Sequence, residues 1–430
     1  MPDKVYIHTF GCQMNVHDSE KIAGILKAEG YVETESPQNA SLIIFNTCCI
    51  RQKAEQKFFS ELGRIKPLKK RNPSLKIAVT GCIAQQEGSR ILKRAPHVDY
   101  VIGPQNINLL KNIIKSSSVQ IALEDNPLLA DIELPVERTD NVKAWVNIMY
   151  GCNNFCSYCV VPYTRGREKS RASDSIISEI RKLAETGYKE VTLLGQNVNS
   201  YKSNTDFPGL LKAVNEIDGI ERVRFVTSNP KDLSEELIHA IRGFEKVCEH
   251  IHLPLQSGST KILRLMNRKY TYEDYIKKVG QLKREIPCIA ITSDIIAGFP
   301  KETDKDHLLT INALREIEFD GIFAFKFSPR PGTKAAEMDG MVTEDIKLER
   351  LSEILALQDK ITLKKNKALE GTIQEVLSEG DIKADLPGKM TGRTRTNKIT
   401  NFVCNNSNTG RLVNVKIIKA QKHSLEGELV

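Results

Sequence analysis

The sequence predicts an α/β protein in three parts. An N-terminal α/β domain on an open parallel sheet covers residues 1–118. A central partial (βα)6 barrel covers 138–366, and a small C-terminal β-barrel covers 367–430. Three observations carry this reading. Strand-like and helix-like segments alternate from the N-terminus, the pattern of a parallel sheet with crossover helices. Six further βα repeats begin near residue 138. The last stretch changes to short Val-, Ile-, Lys- and Arg-rich strands separated by glycines, as small closed barrels require.

The elements follow in order. "KVYIHTFGC" reads as a strand and turn, and "DSEKIAGILKAEG" as an amphipathic helix capped by Asp18 or Ser19 and stopped by Gly30. "SLIIFNTC" is a continuous apolar run and hence a buried strand. A helix over "AEQKFFSELGRIKPLKK" and strands over "LKIAVTGC" and "VDYVIG" complete the first domain. Residues 115–137 have weak periodicity and read as a linker. The barrel strands are "KAWVNIMYG", "EVTLLGQN", "RVRFVTSNP", "HIHLPLQSG", "AITSDIIAGFP" and "IFAFKFSPRPG", with helices between them. In such a barrel the loops after the strands hold the site.

Composition narrows the class. The chain carries a net charge of +8, which permits a polyanionic partner without requiring one. It opens with neither a basic leader nor an apolar signal core, and no apolar run is long enough to span a membrane. A cytoplasmic protein with no membrane partner is expected. The 10 cysteines do not suggest a disulfide framework in a chain of this length and compartment. Cys49, Cys248, Cys288 and Cys404 lie outside any cluster and are expected as buried structural thiols.

"GCNNFCSYC" places Cys152, Cys156 and Cys159 at C-x3-C-x2-C spacing after the first barrel strand. A structural zinc wants four ligands, usually as two separated pairs. Three thiolates on one tight loop suit a 4Fe–4S cluster with one iron left open. An open iron can chelate the amino and carboxylate groups of S-adenosylmethionine and pass an electron to its sulfonium, releasing a 5′-deoxyadenosyl radical. The cofactors supply that chemistry and the protein positions the reactants. Phe155 and Tyr158 read as packing residues of this loop. Polar residues at later strand ends are candidates for holding S-adenosylmethionine: Gln196, Asn197, Ser228, Gln256 and Asp294, with Asn229 and Ser257 beside them. Loop capping is the plainer role for any one of them. No residue is singled out as directly catalytic.

A second trio closes the N-terminal strands. "HTFGC", "IIFNTC" and "IAVTGC" end at Cys12, Cys48 and Cys82, and ligands of open α/β sheets gather at that edge. A second iron–sulfur cluster is expected there, with zinc completed by His8 or His17 as the other reading. Aligning strand ends puts Cys48 in the slot of Cys82 and leaves Cys49 one residue out of register, pointing elsewhere as a small filler.

Two basic stretches stand out. "YTRGREKSR" carries Arg165, Arg167, Lys169 and Arg171, and "KMTGRTRTNK" carries Lys389, Arg393, Arg395 and Lys398. The arginines and Lys389 are candidates for contacts to RNA phosphates, against the plainer reading of a solvated charged face. Phe402 and Trp145 read as core.

Nearly the whole chain resembles the radical methylthiotransferases. The resemblance rests on "TFGCQMNVHDSE", "NTCCIRQKAEQK", "GCIAQQEG", "GCNNFCSYCVVPYTRGREKSR", "LLGQNVNSY", "HLPLQSGS", "MNRKYTYEDY", "DIIAGFPKET" and "FSPRPGTKAA". It implies a methylthiotransferase N-terminal domain, a radical S-adenosylmethionine barrel and a TRAM domain that binds tRNA. It implies a radical-generating 4Fe–4S cluster on Cys152, Cys156 and Cys159, and an auxiliary 4Fe–4S cluster on Cys12, Cys48 and Cys82. The implied reaction inserts a methylthio group at C2 of N6-isopentenyl adenosine beside the anticodon. One S-adenosylmethionine methylates a cluster-held sulfur and a second furnishes the radical. The implied partner is tRNA; an electron donor and a monomeric chain are expected. Related branches modify threonylcarbamoyl-adenosine of tRNA or an aspartate of a ribosomal protein. Asn153 and Asn154 point to the isopentenyl-adenosine branch. A non-catalytic, metal-containing RNA-binding protein is the alternative of another class.

Overall fold

A computed structural model of the chain describes residues 2–49, 52–126, 128–382, 388–404 and 408–430. Ile50 and Arg51 of the "NTCCIRQKAEQK" segment lie outside the described residues. The chain divides into two compact units. One comprises residues 1–139, 149–153 and 160–171, the other 140–148, 154–159 and 172–430.

The first unit is built on a six-stranded sheet of order β2-β1-β3-β4-β5-β6. Its strands are β1 (Lys4–Thr9), β2 (Val32–Glu33), β3 (Leu42–Thr47), β4 (Lys76–Gly81), β5 (Tyr100–Ile102) and β6 (Gln120–Ala122). Every neighbouring pair is parallel. Side chains alternate between the two faces, as the period of a strand dictates. Ile43, Phe45, Ile77 and Val79 enter one apolar cluster, while Leu42, Ile44 and Ala78 enter the other. Both faces are thus covered, which is why the strands read as continuous apolar runs. The expected linker contains β6, which pairs with β5. Its three residues include an exposed Ile121, too short and too wet to show a periodic signal.

Registers bring three strand ends level. Thr9 pairs with Asn46, and Asn46 with Thr80. The helix after β1 runs Gln13–Ala28 with Cys12 as its N-cap residue, so it begins earlier than an Asp18 or Ser19 cap would allow. Gly30 follows its end at φ +86°, a conformation in which glycine carries no Cβ penalty.

The second unit begins with β7 (Lys143–Asn147). The first unit then takes β8 (Met149–Tyr150) and β9 (Lys169–Ser170), an antiparallel pair. Within the second unit, β7 joins β10 (Glu190–Leu194) and β11 (Arg222–Phe225) in one parallel sheet. A second parallel sheet holds β12 (His250–His252), β13 (Ala290–Ala297) and β14 (Gly321–Lys326). A bridge between Val223 and Val247 links the two series. These are the six strands expected for the partial barrel. The helix Glu344–Lys367 follows.

Five strands close the C-terminal barrel: β15 (Ile373–Asp381), β16 (Lys389–Thr394), β17 (Ile399–Val403), β18 (Leu412–Ala420) and β19 (Leu425–Leu429). Val376, Met390, Phe402, Val415, Ile417 and Leu425 fill it, so Phe402 is core. This barrel packs where the strands of the larger one begin. Arg222, fully buried on β11, donates to the Arg393 carbonyl at 2.5 Å and to Glu375 Oε1 at 2.9 Å. Arg224 donates to the carbonyls of Thr394 and Arg395. Lys398 pairs with Asp320, just before β14. The opposite, carboxyl-terminal ends of the barrel strands are left for a site.

Candidate cluster and cofactor site

Two glycines set the geometry of the N-terminal thiols. Gly11 has φ +126°, and a Cβ on it would stand 2.4 Å from Cys48 Cβ and 2.9 Å from its sulfur. Gly81 has φ +87°, and a Cβ there would meet the Thr47 carbonyl oxygen at 2.4 Å. Only residues without side chains let the three strand ends approach this closely. A buried amide pair locks them. Asn15 Nδ2 donates to Asn46 Oδ1 (3.1 Å) and to the Thr47 carbonyl (3.0 Å), and Asn46 Nδ2 donates back to the Asn15 carbonyl (2.8 Å).

Each of these thiols stands at a strand-to-helix junction. Cys12 caps Gln13–Ala28, where backbone N–H groups at the helix start favour thiolate, and Cys82 opens Cys82–Glu87. A hydrogen bond with Cys48, the charge of Arg165 and backbone N–H groups pull Cys12 down to about 6 against its burial. A hydrogen bond with Cys49 and the charge of Arg165 bring Cys82 to about 7, again against burial. The donor set, three thiols with no disulfide among them, of which Cys12 and Cys82 ionise readily, fits an iron–sulfur ligand role. Among the described residues no three ligating side chains converge tightly enough for a single metal ion. Thiolates that each bind a different iron of a cuboidal cluster stand further apart than ligands sharing one ion. Neither histidine considered for zinc joins the trio. His17 is buried and bonded to Glu20 at 2.9 Å, and His8 stacks on Phe10 and bonds to Tyr6.

Cys49 does not point away. It is buried, packs in the same apolar cluster as Cys82 and hydrogen bonds with it. The alternation rule fails here because β3 ends at Thr47, and the chain bends at Cys49 instead of continuing extended. Cys248 and Cys404 are buried as expected, whereas Cys288 is exposed in the turn before β13.

The loop of the second trio is held by different groups along its length. Cys152 N–H donates to the Gly166 carbonyl at 3.2 Å. The turn Cys156–Cys159 closes with a 3.0 Å backbone hydrogen bond. Phe155 adopts φ +45°, and Asn267 Nδ2 donates to its carbonyl at 2.9 Å. Ser157 bonds to the carbonyls of Leu265 and Met266. Arg268, one residue on from Asn267, donates from Nη1 to Cys156 Sγ at 3.3 Å and from Nε to Tyr270 at 2.8 Å. Tyr158 packs against the apolar cluster of Ile262, Met266 and Phe299.

The barrel loops carry the marks of a ligand site. Both polar atoms of the Gln196 side chain, Asn197 Oδ1 and Ser228 Oγ are buried without a hydrogen-bond partner among the described residues. Buried polar atoms in native structures are nearly always bonded, and unpartnered ones occur elsewhere in this chain too, at Thr80, Gln358 and Ser378 among others; these four are set apart by their place at the barrel strand ends. Thr227 and Gln256, at the ends of two neighbouring strands, adopt φ +71° and +74°. Side chains held in that region store strain of the kind found at ligand clamps. Gln256 N–H donates to the Asp294 carbonyl at 2.8 Å, while Asp294 Oδ2 lies 3.4 Å from His252 Nε2. The amide, hydroxyl and carboxylate groups suit the ribose, adenine and methionine ends of S-adenosylmethionine. Asn197 is partly committed, donating to Asp232 at 2.8 Å.

The basic residues divide. Arg167 and Lys389 are exposed. Arg165 is buried and pairs with Asp18 at 2.7 Å, which takes it out of any RNA-facing surface. Arg171 is buried as well. Lys169 is held by Gln105, Asp125 and the Asn126 carbonyl. Arg395 grips both oxygens of Glu249 at 2.7 and 2.8 Å, and Arg393 lies 3.3 Å from Glu379. Charge density alone cannot separate a cation that faces solvent from one that braces two elements. Sequence reasoning also passed over Arg268, Asn15 and Thr227. Arg268 sits in the quoted "MNRKYTYEDY" segment, whose singular feature, Asn267 at φ +57°, shows only in the backbone.

Comparison with known proteins fits this geometry. Residues 4–103 match the uncharacterized protein family UPF0004, residues 146–314 the radical SAM superfamily and residues 367–430 the TRAM domain. Among solved structures, the radical S-adenosylmethionine methyltransferase TsrM from Kitasatospora setae is similar in fold, with TM-score 0.60 at 14% identity, covering 78% of this chain and 74% of that one. The chain is thus a radical S-adenosylmethionine protein, a class that uses S-adenosylmethionine and a 4Fe–4S cluster. A relative from Thermodesulfovibrio yellowstonii is 60% identical over 99% of this chain and 98% of its own length, and one from Clostridium botulinum is 50% identical over 98% and 96%. Both are tRNA-2-methylthio-N(6)-dimethylallyladenosine synthases, and this chain belongs to their family.

Proposed function

We infer that the protein inserts a methylthio group at C2 of N6-isopentenyl adenosine in tRNA. The observation that carries this reading is the pair of cysteine trios in a chain of this family, one at a sheet edge and one on the loop after the first barrel strand. Cys152, Cys156 and Cys159 would hold the radical-generating 4Fe–4S cluster, and Cys12, Cys48 and Cys82 the auxiliary one. When bound, the clusters and S-adenosylmethionine supply the electron, the 5′-deoxyadenosyl radical and the sulfur that an unactivated aromatic C–H requires.

The chain's own groups bind and orient. Gln196, Asn197, Ser228, Gln256 and Asp294 would contact S-adenosylmethionine at the barrel loops. Arg268 holds the Cys156 sulfur, and the Asn15–Asn46 pair fixes the sheet edge. Arg167 and Lys389 are exposed and would meet RNA phosphates, and the target base must leave its stack to react. An external electron donor is required. No helix among the described residues is long and apolar enough to cross a membrane.

The names of the relatives favour the isopentenyl-adenosine branch over threonylcarbamoyl-adenosine or a protein aspartate. Mass spectrometry of tRNA nucleosides from cells with and without the gene tests this. Loss of the methylthio derivative of isopentenyl adenosine is expected on deletion, and an unchanged profile would overturn the assignment.

A further inference from the structure

Arg165 poses a problem for a purely structural account. It follows the radical-trio loop in sequence, in a stretch that reads as a charged surface, yet its side chain is only 7% exposed. Among the described residues it is paired with the Asp18 carboxylate, itself 4% exposed, at 2.7 Å. Burying an arginine is costly unless its fork is satisfied. Asp18 accepts from Nη2, and Cys82 takes a further hydrogen bond from the guanidinium. The negative charge of Cys12 acts on it too. Asp18 lies in the helix that Cys12 caps. The guanidinium therefore stands among groups from both helix starts that carry these thiols.

We propose that Arg165 is a positioning residue of the auxiliary cluster, clamped by Asp18 so that the rest of its fork is turned to the Cys82 sulfur with its charge near Cys12. This rests on reading Cys12, Cys48 and Cys82 as that cluster's ligands. Hydrogen bonds to the sulfurs of an iron–sulfur cluster stabilise its more reduced, more negative state and so raise its potential. Outer-shell partners of metal ligands also hold the metal itself. Asp18 takes the part of orienting carboxylate, since a planar fork bonded on one edge presents the other in a fixed direction. Arg165 would thus tune the potential of the cluster and its grip on iron while touching no substrate.

The test isolates the auxiliary centre. A full-length Cys152→Ala/Cys156→Ala/Cys159→Ala protein, reconstituted anaerobically with iron and sulfide, should hold one cluster, lost on adding Cys48→Ala. If that background holds no cluster, the reading of the trio fails. On the same background, Asp18→Asn/Arg165→Gln removes both buried charges together and keeps a neutral hydrogen bond. Its cluster should titrate at a more negative potential by electron paramagnetic resonance and lose iron to a chelator roughly tenfold faster. A background that holds its cluster while the double variant leaves potential and iron loss unchanged overturns the proposal and leaves the trio reading intact. Arg165→Lys, which keeps the charge but not the fork, provides the same measurement if the double variant misfolds. It should shift the potential in the same direction by less, and no shift in it counts against the proposal.

Discussion

Gly11 lies against Cys48 so closely that a Cβ on Gly11 would stand 2.4 Å from Cys48 Cβ, in a backbone conformation, φ +126°, that L side chains rarely adopt. The close approach is what places the Cys48 thiol beside Cys12. Gly11→Ala should therefore cost more than the ~1–2 kcal/mol of a left-handed residue, because Cys48 has to move. The expected result is a folded protein that retains the iron and sulfide of one cluster and loses those of the other. Gly30→Ala is the control: φ is +86° there, but nothing lies within 4 Å of the added atom. It should lower the melting temperature slightly and leave iron content unchanged.

The adjacent thiols have different partners. Cys48 bonds with Cys12, and Cys49 bonds with Cys82. Cys48→Ala should abolish the methylthio product while 5′-deoxyadenosine still forms on reduction with S-adenosylmethionine. Cys49→Ala should keep both clusters and cost roughly 1–2 kcal/mol for a lost buried contact. Iron analysis and product assays on the two variants decide between them, and the reverse pattern would make Cys49 the ligand.

Much of this architecture is legible in the sequence because its causes are local. Buried parallel strands must be apolar throughout, and the glycines before Cys12 and Cys82 mark turns that only glycine can make. The three strand-end thiols follow from those two facts. What escapes is what the tertiary fold decides. β6 is recognisable only once β5 offers it an edge. Arg165 and Arg395 look like their exposed neighbours until Asp18 and Glu249 are brought to them. Cys49 defeats an argument from alternation because the strand ends two residues before it.

Arg268 donates to Cys156 Sγ at 3.3 Å and is itself steadied by Tyr270 and the Pro254 carbonyl. Arg268→Gln should leave iron content intact and make the radical cluster harder to reduce, slowing 5′-deoxyadenosine formation roughly 10–100-fold. The potential read by paramagnetic resonance separates this from simple misfolding. A slow variant with an unshifted potential would show that Arg268 acts only on loop structure.

The two basic groups on the C-terminal barrel should behave differently toward tRNA. Lys389 is exposed, while Arg395 is spent on Glu249. Lys389→Ala should weaken tRNA binding and lower the slope of log K against log salt by about 1. Arg395→Ala should leave that slope unchanged and destabilise the protein by about 1–3 kcal/mol, since a charged hydrogen-bonded partner is removed. Binding isotherms at several salt concentrations, alongside thermal melts, give both readings.

His250 links barrel stability to pH. Burial, reinforced by the charge of Arg224, pushes its imidazole down to about 3, so it is neutral in the folded protein. It meets Thr292 Oγ1 at 3.2 Å, and His252 shares the same hydroxyl. An unfolded chain takes up a proton at this residue as pH falls through about 6.5, whereas the folded chain refuses it until about 3. The native state is therefore undiminished by this group above about pH 6.5, and loses stability progressively from there down to about pH 3. The loss at the acid end is on the order of a few kcal/mol. His250→Gln keeps a polar partner for Thr292 and carries no proton to refuse. Its melting temperature should lie below that of the native sequence near pH 7.5 and close the gap as pH falls to 4.5. Melting curves that remain parallel across that range would mean His250 is not the group responsible.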